Sequence, residues 1–143
     1  MDATEFLILG RSLEMKNKTM REGIEDMRDA AQSLSSPDFE EHYNPNRPQE
    51  ASYVKALEKI DELTHELGDL LLLYMDYRTS LVKAMSNVTV KNGAEVLRLR
   101  YLKYYSWEQI AEELNADVRT VKRWHDAALK QVEVPSDAEK YRL

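Results

Sequence analysis

Four residues between positions 118 and 123 have side chains that could read the edges of bases in a DNA duplex. Arg119 and Arg123 are four residues apart, so on a helix they would share one face. A guanidinium group can donate two parallel hydrogen bonds to O6 and N7 of guanine, and a valine methyl group can contact the methyl group of thymine. We therefore take Val118, Arg119, Lys122 and Arg123 as candidate base-reading residues.

Three further cations are better suited to holding the phosphate backbone. Arg100, Lys103 and Lys130 lie in the same part of the chain, and contacts with phosphate fix the register of a protein on DNA without reading its sequence. The alternative is that all these cations form the solvated face of an amphipathic helix. The helix, turn and capping signals around them favour DNA binding.

Two short helices and a turn are predicted to position these cations. Ser106 precedes an apolar stripe with helical spacing, and Gln109 three residues later completes a capping-box pattern. The stripe consists of Trp107, Ile110, Ala111 and Leu114. Asn115 and Ala116 then break the pattern, and Asp117 is a suitable N-cap for a second helix. This arrangement predicts a helix-turn-helix, whose second helix can enter the major groove.

A third helix over residues 94–104 is predicted to pack against these two. The residues of this helix that should face the core of the helix-turn-helix are Val96, Leu97, Tyr101 and Leu102. Val121, Trp124, Ala128 and Leu129 should form the buried side of the second helix, and both tryptophans should be core residues. Pro135 should stop the chain from continuing as a helix. His125 is expected to be exposed, and residues 136–143 are predicted to be a flexible, frayed tail.

Two long apolar stripes precede this module. Over residues 2–34 and again over residues 51–88, mostly apolar positions alternate spacings of four and three, as in a coiled-coil seam. Prolines interrupt the pattern between them and predict a loop over residues 35–50. The two helices should fold back as an antiparallel hairpin over residues 1–90.

A bare hairpin of this kind would leave apolar surface exposed. Asn17 is a polar residue of the first seam, of the kind that fixes register or partner number, and apolar flanks such as Ile8, Val54 and Leu72 remain outside the seams. We therefore expect a homodimer, with docking onto another protein as the alternative. Its expected oligomerisation residues are Leu13, Asn17, Met20, Ile24, Leu67, Leu71 and Tyr74.

Composition and charge narrow the class of protein. The net charge is −6, but residues 1–90 carry 10 basic against 17 acidic residues, whereas residues 91–132 carry 8 against 6. Positive charge is thus concentrated where DNA binding is predicted. Cysteine is absent, and no run of apolar residues is long enough to cross a membrane. No metal-ligand cluster, phosphate loop or nucleophile motif is recognisable. We expect a cytoplasmic protein that is not an enzyme and has no cofactor and no metal.

The run EVLRLRYLKYYSWEQIAEELNADVRTVKRWHDAALKQV, residues 95–132, resembles region 4 of bacterial sigma-70-type factors. The order of elements, with a long acidic helix, a proline-containing loop, a second long helix and this module, resembles the phage RinA/ArpU-like transcriptional regulators of Gram-positive phages and their satellite islands. The resemblance implies that Val118, Arg119, Lys122 and Arg123 face DNA. It also implies an activator of late genes that acts with host RNA polymerase in the bacterial cytoplasm.

The predicted fold class is all-α: a long antiparallel, coiled-coil-like hairpin over residues 1–90, a three-helix helix-turn-helix module over residues 91–135, and the tail. The predicted function is a sequence-specific, DNA-binding transcriptional regulator with double-stranded DNA as its partner. Two alternatives stay open. One is a coiled-coil adaptor that binds RNA polymerase or a host factor without touching DNA. The other is a small terminase-like packaging subunit.

Overall fold

The computed structural model describes residues 1–34 and 48–143, and the described residues fold entirely into helices and connecting turns. Its five α-helices are α1 (Ala3–Leu34), α2 (Pro48–Met85), α3 (Gly93–Tyr101), α4 (Trp107–Glu113) and α5 (Val118–Leu129). A short 3₁₀ helix over Ala138–Tyr141 follows. The all-α class and the long N-terminal helix pair are therefore confirmed.

Helix boundaries differ from the prediction most clearly at two places. The second long helix begins at Pro48, so the last three positions of the loop predicted at 35–50 are helical; the rest of that loop lies outside the described residues. Proline suits the first turn of a helix because it lacks only an N–H that would be unpaired there. The third predicted helix ends at Tyr101, and Tyr104 takes a left-handed conformation with φ 59° that a continuing α-helix excludes.

The described chain divides into two compact units. Unit 1 comprises Met1–Glu14 and Leu73–Leu143, and unit 2 comprises Met15–Leu72. The division therefore falls inside both long helices. It does not fall at residue 90, where the sequence pattern changes.

The core of unit 1 includes a cluster of aromatic rings. Phe6, Tyr77 and Tyr141 are each at most 1% exposed, and the Tyr77 ring makes edge contacts with the other two at centroid distances of 5.3 and 5.4 Å. The Tyr77 hydroxyl donates to the backbone oxygens of Phe6 and Leu7. Gly10 permits this approach, because a Cβ there would lie 2.9 Å from the Tyr77 ring. Burial holds the pKa of Tyr77 well above its ordinary value, so the phenol stays neutral.

The C-terminal tail is part of this core. Tyr141 donates a hydrogen bond of 2.6 Å to Asp76, and its hydroxyl lies 2.9 Å from that of Ser80. Lys140 forms an ion pair with Asp76 at 3.0 Å. The prediction of a frayed tail over residues 136–143 is therefore wrong: a single large aromatic side chain anchors a stretch whose sequence is otherwise polar.

Unit 2 consists of segments of α1 and α2 packed on each other. Its buried apolar residues are Ile24, Ala31 and Ile60, flanked by partly buried side chains such as Met20 and Leu67. Asn17 is also buried, at 3% exposure. A cleft of about 270 Å³ between the end of α1 and the start of α2 agrees with the antiparallel hairpin.

Three of the seven residues predicted to form the oligomer interface are buried within a single chain. Leu13, Asn17 and Ile24 are at most 4% exposed, whereas Leu71 is 39% exposed. Met20, Leu67 and Tyr74 are half-buried. The prediction that the buried residues of this set lie between two copies is therefore wrong. Their side chains pack within one chain, along the apolar seams between the two long helices.

Candidate nucleic-acid interface

Both predicted N-caps are present at the starts of α4 and α5. Ser106 Oγ accepts from the Gln109 N–H at 3.1 Å, and the Gln109 side chain accepts from the Ser106 N–H at 2.8 Å, which completes the capping box. Asp117 Oδ1 accepts from the Thr120 N–H at 2.7 Å. Hydrogen bonds from Thr120, and then the positive charges of Arg123 and Arg119, lower the pKa of Asp117. The cap therefore stays charged at neutral pH.

A short turn connects these two helices. Asn115 takes a left-handed conformation with φ 51°, which asparagine tolerates better than most residues. The Ala116 N–H donates to the Ala111 oxygen at 3.0 Å and closes the end of α4. The chain thus turns within Leu114–Asp117, and α5 begins at Val118.

The helices α3, α4 and α5 share one apolar core. Its buried members are Val96, Leu99, Ile110, Ala111 and Val121, and the partly buried Trp107 and Trp124 pack against it. The prediction that both tryptophans are core residues is confirmed in part, since both contact the core and neither is completely buried. This core fixes which face of α5 is turned to solvent.

Three of the four predicted base-reading side chains are exposed on α5. Arg119, Lys122 and Arg123 are exposed, whereas Val118 is half-buried against the shared core. Asp126 is a carboxylate on the same side of α5 and is also exposed. The basic surface of α5 therefore comes from its first two turns, and the carboxylates of Asp117 and Asp126 lie beside it.

The Trp107 ring brings together residues from α3 and α5. The Arg100 guanidinium lies 4.4 Å from the ring centroid, and the Lys122 ammonium lies 5.7 Å from it. Cations over the face of a tryptophan are attracted by the electron density of the ring. Arg100 also donates to the Tyr105 oxygen at 2.9 Å. Two cations that are 22 positions apart in sequence thus contact the same ring.

The other predicted phosphate contacts are exposed and lie at the ends of helices. Lys103 follows the end of α3, and Lys130 is the C-cap of α5. Beyond Lys130, the Gln131 side chain accepts from the N–H groups of Thr89 and Val90 at 2.9 and 3.1 Å. This contact spans more than 40 positions, and the sequence pattern did not indicate it.

His125 is the clearest error of the sequence analysis in this region. It was expected to be exposed, but it is 7% exposed. Its Nε2 lies 2.7 Å from the Tyr101 hydroxyl, and its Nδ1 lies 3.1 Å from Asp126. Since a carboxylate only accepts, Nδ1 carries the proton and Nε2 accepts from Tyr101. Burial lowers the pKa of His125, and Asp126 opposes that shift.

Within residues 1–34 and 48–143, no group of three or more His, Asp or Glu side chains could hold a metal ion. No helix in that part of the chain is long and apolar enough to span a bilayer.

The model of one protein family matches residues 4–134, which is most of the chain. The chain belongs to the DUF722 family. DUF722 is described as a protein of unknown function, so membership carries no assigned activity. Comparison with curated proteins gives no match. Comparison with solved structures gives none either.

Proposed function

We propose that this DUF722 protein is a sequence-specific, DNA-binding transcriptional regulator, in which α4 and α5 form a helix-turn-helix and α5 is the recognition helix. The observation that carries the proposal is the position of Arg119, Lys122 and Arg123. All three are exposed in the first two turns of α5, while Val121 on the opposite side is fully buried. The N-terminal part of a recognition helix is the part that meets base edges.

The supporting residues are also suitably placed for this role. Arg100 and Lys122 each lie over the Trp107 ring, and both would be available to the phosphate backbone near the base-reading turns. Lys103 and Lys130 add exposed positive charge at the ends of α3 and α5. Val118 makes a weaker contribution than the sequence predicted, because its side chain is partly used by the core.

The proposal includes a homodimer, which would present two recognition helices to two half-sites. It is supported by large apolar side chains on α2 in unit 2 that remain exposed. Val54, Leu57, Leu71 and Leu72 have exposures between 39 and 66%. At ~100° of rotation per residue, the four fall within a sector of roughly 100°. The interface would thus use this face of α2 and leave the seams to the hairpin.

Activation of late phage genes with host RNA polymerase is the biological role that we propose for this binding. It depends on the resemblance of residues 95–132 to sigma region 4 and of the order of elements to the RinA/ArpU-like regulators. The bacterial cytoplasm follows from that role.

The test is in vitro selection from fragmented host and phage DNA at about 150 mM salt. The wild type should enrich one discrete motif, and Arg119→Ala/Arg123→Ala should lose it, because each bidentate base contact contributes ~1–3 kcal/mol of discrimination. Arg21→Ala/Arg28→Ala is the matched control, since both arginines are exposed on α1 in unit 2 and their removal changes the net charge equally. The control should retain the motif.

Other outcomes would favour other functions. If the wild type enriches no motif, the DNA-binding proposal fails and the adaptor without DNA contact becomes the better explanation. If the wild type binds DNA but has the mass of eight or more subunits, a terminase-like packaging subunit is favoured. Equal loss of the motif in both double variants would show that net charge, and not α5, determines binding.

A further inference from the structure

A cleft in unit 1 is lined by two arginines and two tyrosines. Its volume is about 150 Å³, and it is lined by Leu7, Ile8, Arg11, Arg100, Tyr101 and Tyr104. All six residues belong to the same compact unit, although α1, α3 and the segment after α3 supply them. Among the predicted DNA-contacting residues, only Arg100 lines this cleft, so the recognition helix does not account for it.

Arg11 reaches this cleft from α1 and lies over the Tyr104 ring, with its guanidinium carbon 5.5 Å from the ring centroid. Tyr104 takes a left-handed conformation directly after the end of α3, which is uncommon for a bulky residue. Burial raises the pKa of Tyr104, and Glu14 and Tyr74 beside its hydroxyl raise it further. The phenol is therefore neutral, and its ring is a stable support for the exposed Arg11 side chain.

Arg100 supplies the second positive charge. One of its N–H groups bonds to the Tyr105 oxygen, and a guanidinium has five N–H donors, so others are available for a ligand. Within the described residues, the contacts of Arg11 and Arg100 are with aromatic rings and a backbone oxygen and include no ion pair. Glu14 beside Tyr104 and Asp126 near Tyr101 are carboxylates close to this cluster. The charged residues that line the cleft itself are the two arginines.

The cations of the cleft continue those of α5. Lys122 and Arg100 share the Trp107 ring, and Arg100 and Arg11 line the same cleft. Guanidinium groups bind phosphate oxygens through paired hydrogen bonds. The half-exposed Ile8 adds apolar surface, which a deoxyribose can contact and a free phosphate cannot use.

We propose that Arg11 and Arg100, with Tyr104 as the support of Arg11, bind a backbone phosphate of DNA beside the bases read by α5. This inference rests on the proposed DNA-binding function and extends it to α1, where the sequence analysis placed no DNA contact. The site holds register and does not read bases.

The test uses anisotropy titrations of the full-length protein with the selected duplex and with a scrambled duplex of equal length, from 75 to 300 mM salt. Arg11→Ala should weaken binding to both duplexes by the same factor, about 3- to 10-fold at 150 mM salt. The magnitude of the negative slope of log K against log salt should decrease by about 1 in this variant. Arg11→Lys should keep the wild-type slope. Thermal melting by circular dichroism checks that each variant is folded.

Arg78→Ala is the matched control. Arg78 is also exposed in unit 1 and also lies over a tyrosine ring, at 5.8 Å from that of Tyr74, but it does not line the cleft. It should bind both duplexes as the wild type does. A further titration replaces part of the chloride with inorganic phosphate at matched ionic strength. Phosphate should displace the wild-type protein from DNA no more than chloride does.

Three results would overturn the phosphate cleft while leaving the proposed function intact. They are an Arg11→Ala variant with wild-type affinity and slope, an Arg78→Ala variant with an equal loss, and displacement of the wild type by inorganic phosphate that Arg11→Ala abolishes. The last would show that the cleft binds free phosphate. A wild type that does not distinguish the two duplexes, by contrast, contradicts the DNA-binding function itself.

Discussion

Units 1 and 2 are both built on the same two long helices, but they bury their apolar side chains to different extents. In unit 1, the shorter helices and the C-terminal tail add further layers, and Phe6, Tyr77 and Tyr141 are almost completely enclosed. In the described part of unit 2, segments of α1 and α2 pack on each other, and Leu57 and Leu72 remain 44 and 66% exposed. When two helices pack together, each buries one of its apolar faces against the other. A second apolar face is buried only when a further element packs against it.

The two units also differ in the surfaces that they expose. The residues proposed to contact DNA all lie in unit 1, whose core fixes their positions. Unit 2 offers apolar surface, which on a soluble monomer is commonly a site of association. One unit would thus present the DNA-binding surface, and the other would pair two copies.

The largest expected effect tests whether the tail closes unit 1. Tyr141→Ala should lower the free energy of unfolding by about 3–4 kcal/mol, because it empties a fully buried aromatic site. Urea denaturation at pH 7.5 would measure this loss. Leu143→Ala is the control in the same tail; Leu143 is 63% exposed, and its removal should change stability by at most about 0.5 kcal/mol. Equal effects of the two variants would contradict a specific anchoring role.

The next effect tests whether the exposed face of unit 2 pairs two copies. A buried leucine contributes about 1.5 kcal/mol or more, and each 1.4 kcal/mol is a factor of ten in affinity. Leu57→Ser/Leu72→Ser should therefore weaken self-association by at least about tenfold in sedimentation equilibrium. Ile8→Ser, at a site in unit 1 that is 55% exposed, should not. A monomeric wild type, or an equal effect of Ile8→Ser, would remove the contrast between the units.

The smallest effect concerns pH and the buried His125 in unit 1. Its folded pKa is lowered by burial, so the unfolded chain binds the proton more readily. The free energy of unfolding should therefore fall as the pH drops through about 6.5 and level off below the folded pKa. Tyr101, Asp126 and Arg100 are the polar groups around the ring, and the raised pKa of Tyr101 keeps that phenol neutral across this range.

Urea denaturation between pH 5.5 and 8 would measure this dependence, and His125→Gln should remove it. The pKa values of Asp76, Asp117 and Asp137 are lowered, so these carboxylates affect stability only at more acidic pH. His65 is fully exposed and its pKa is raised by Asp61, so its contribution has the opposite sign. His65→Gln is thus the control, and an unchanged profile in His125→Gln would contradict the assignment.

The sequence by itself determined the features that depend on neighbours within about four positions. Helical spacing identified the long helices, and the side-chain caps at Ser106 and Asp117 follow from hydrogen bonds that span three residues. The exposure of Arg119 and Arg123 follows from the same spacing, since Val121 and Ala128 fix the buried face.

Only the tertiary structure decided where distant segments meet. The Tyr141 hydroxyl donates to Asp76, which is 65 positions away, and the Tyr101 hydroxyl donates to His125, which is 24 positions away. Arg11 of α1 lies over the ring of Tyr104, which follows α3. A polar tail and a lone histidine carry no periodic signal of such contacts. Their burial depends on which surfaces the folded helices bring together, and this long-range packing is the physical reason that the anchored tail and the arginine cleft could not be read from the sequence.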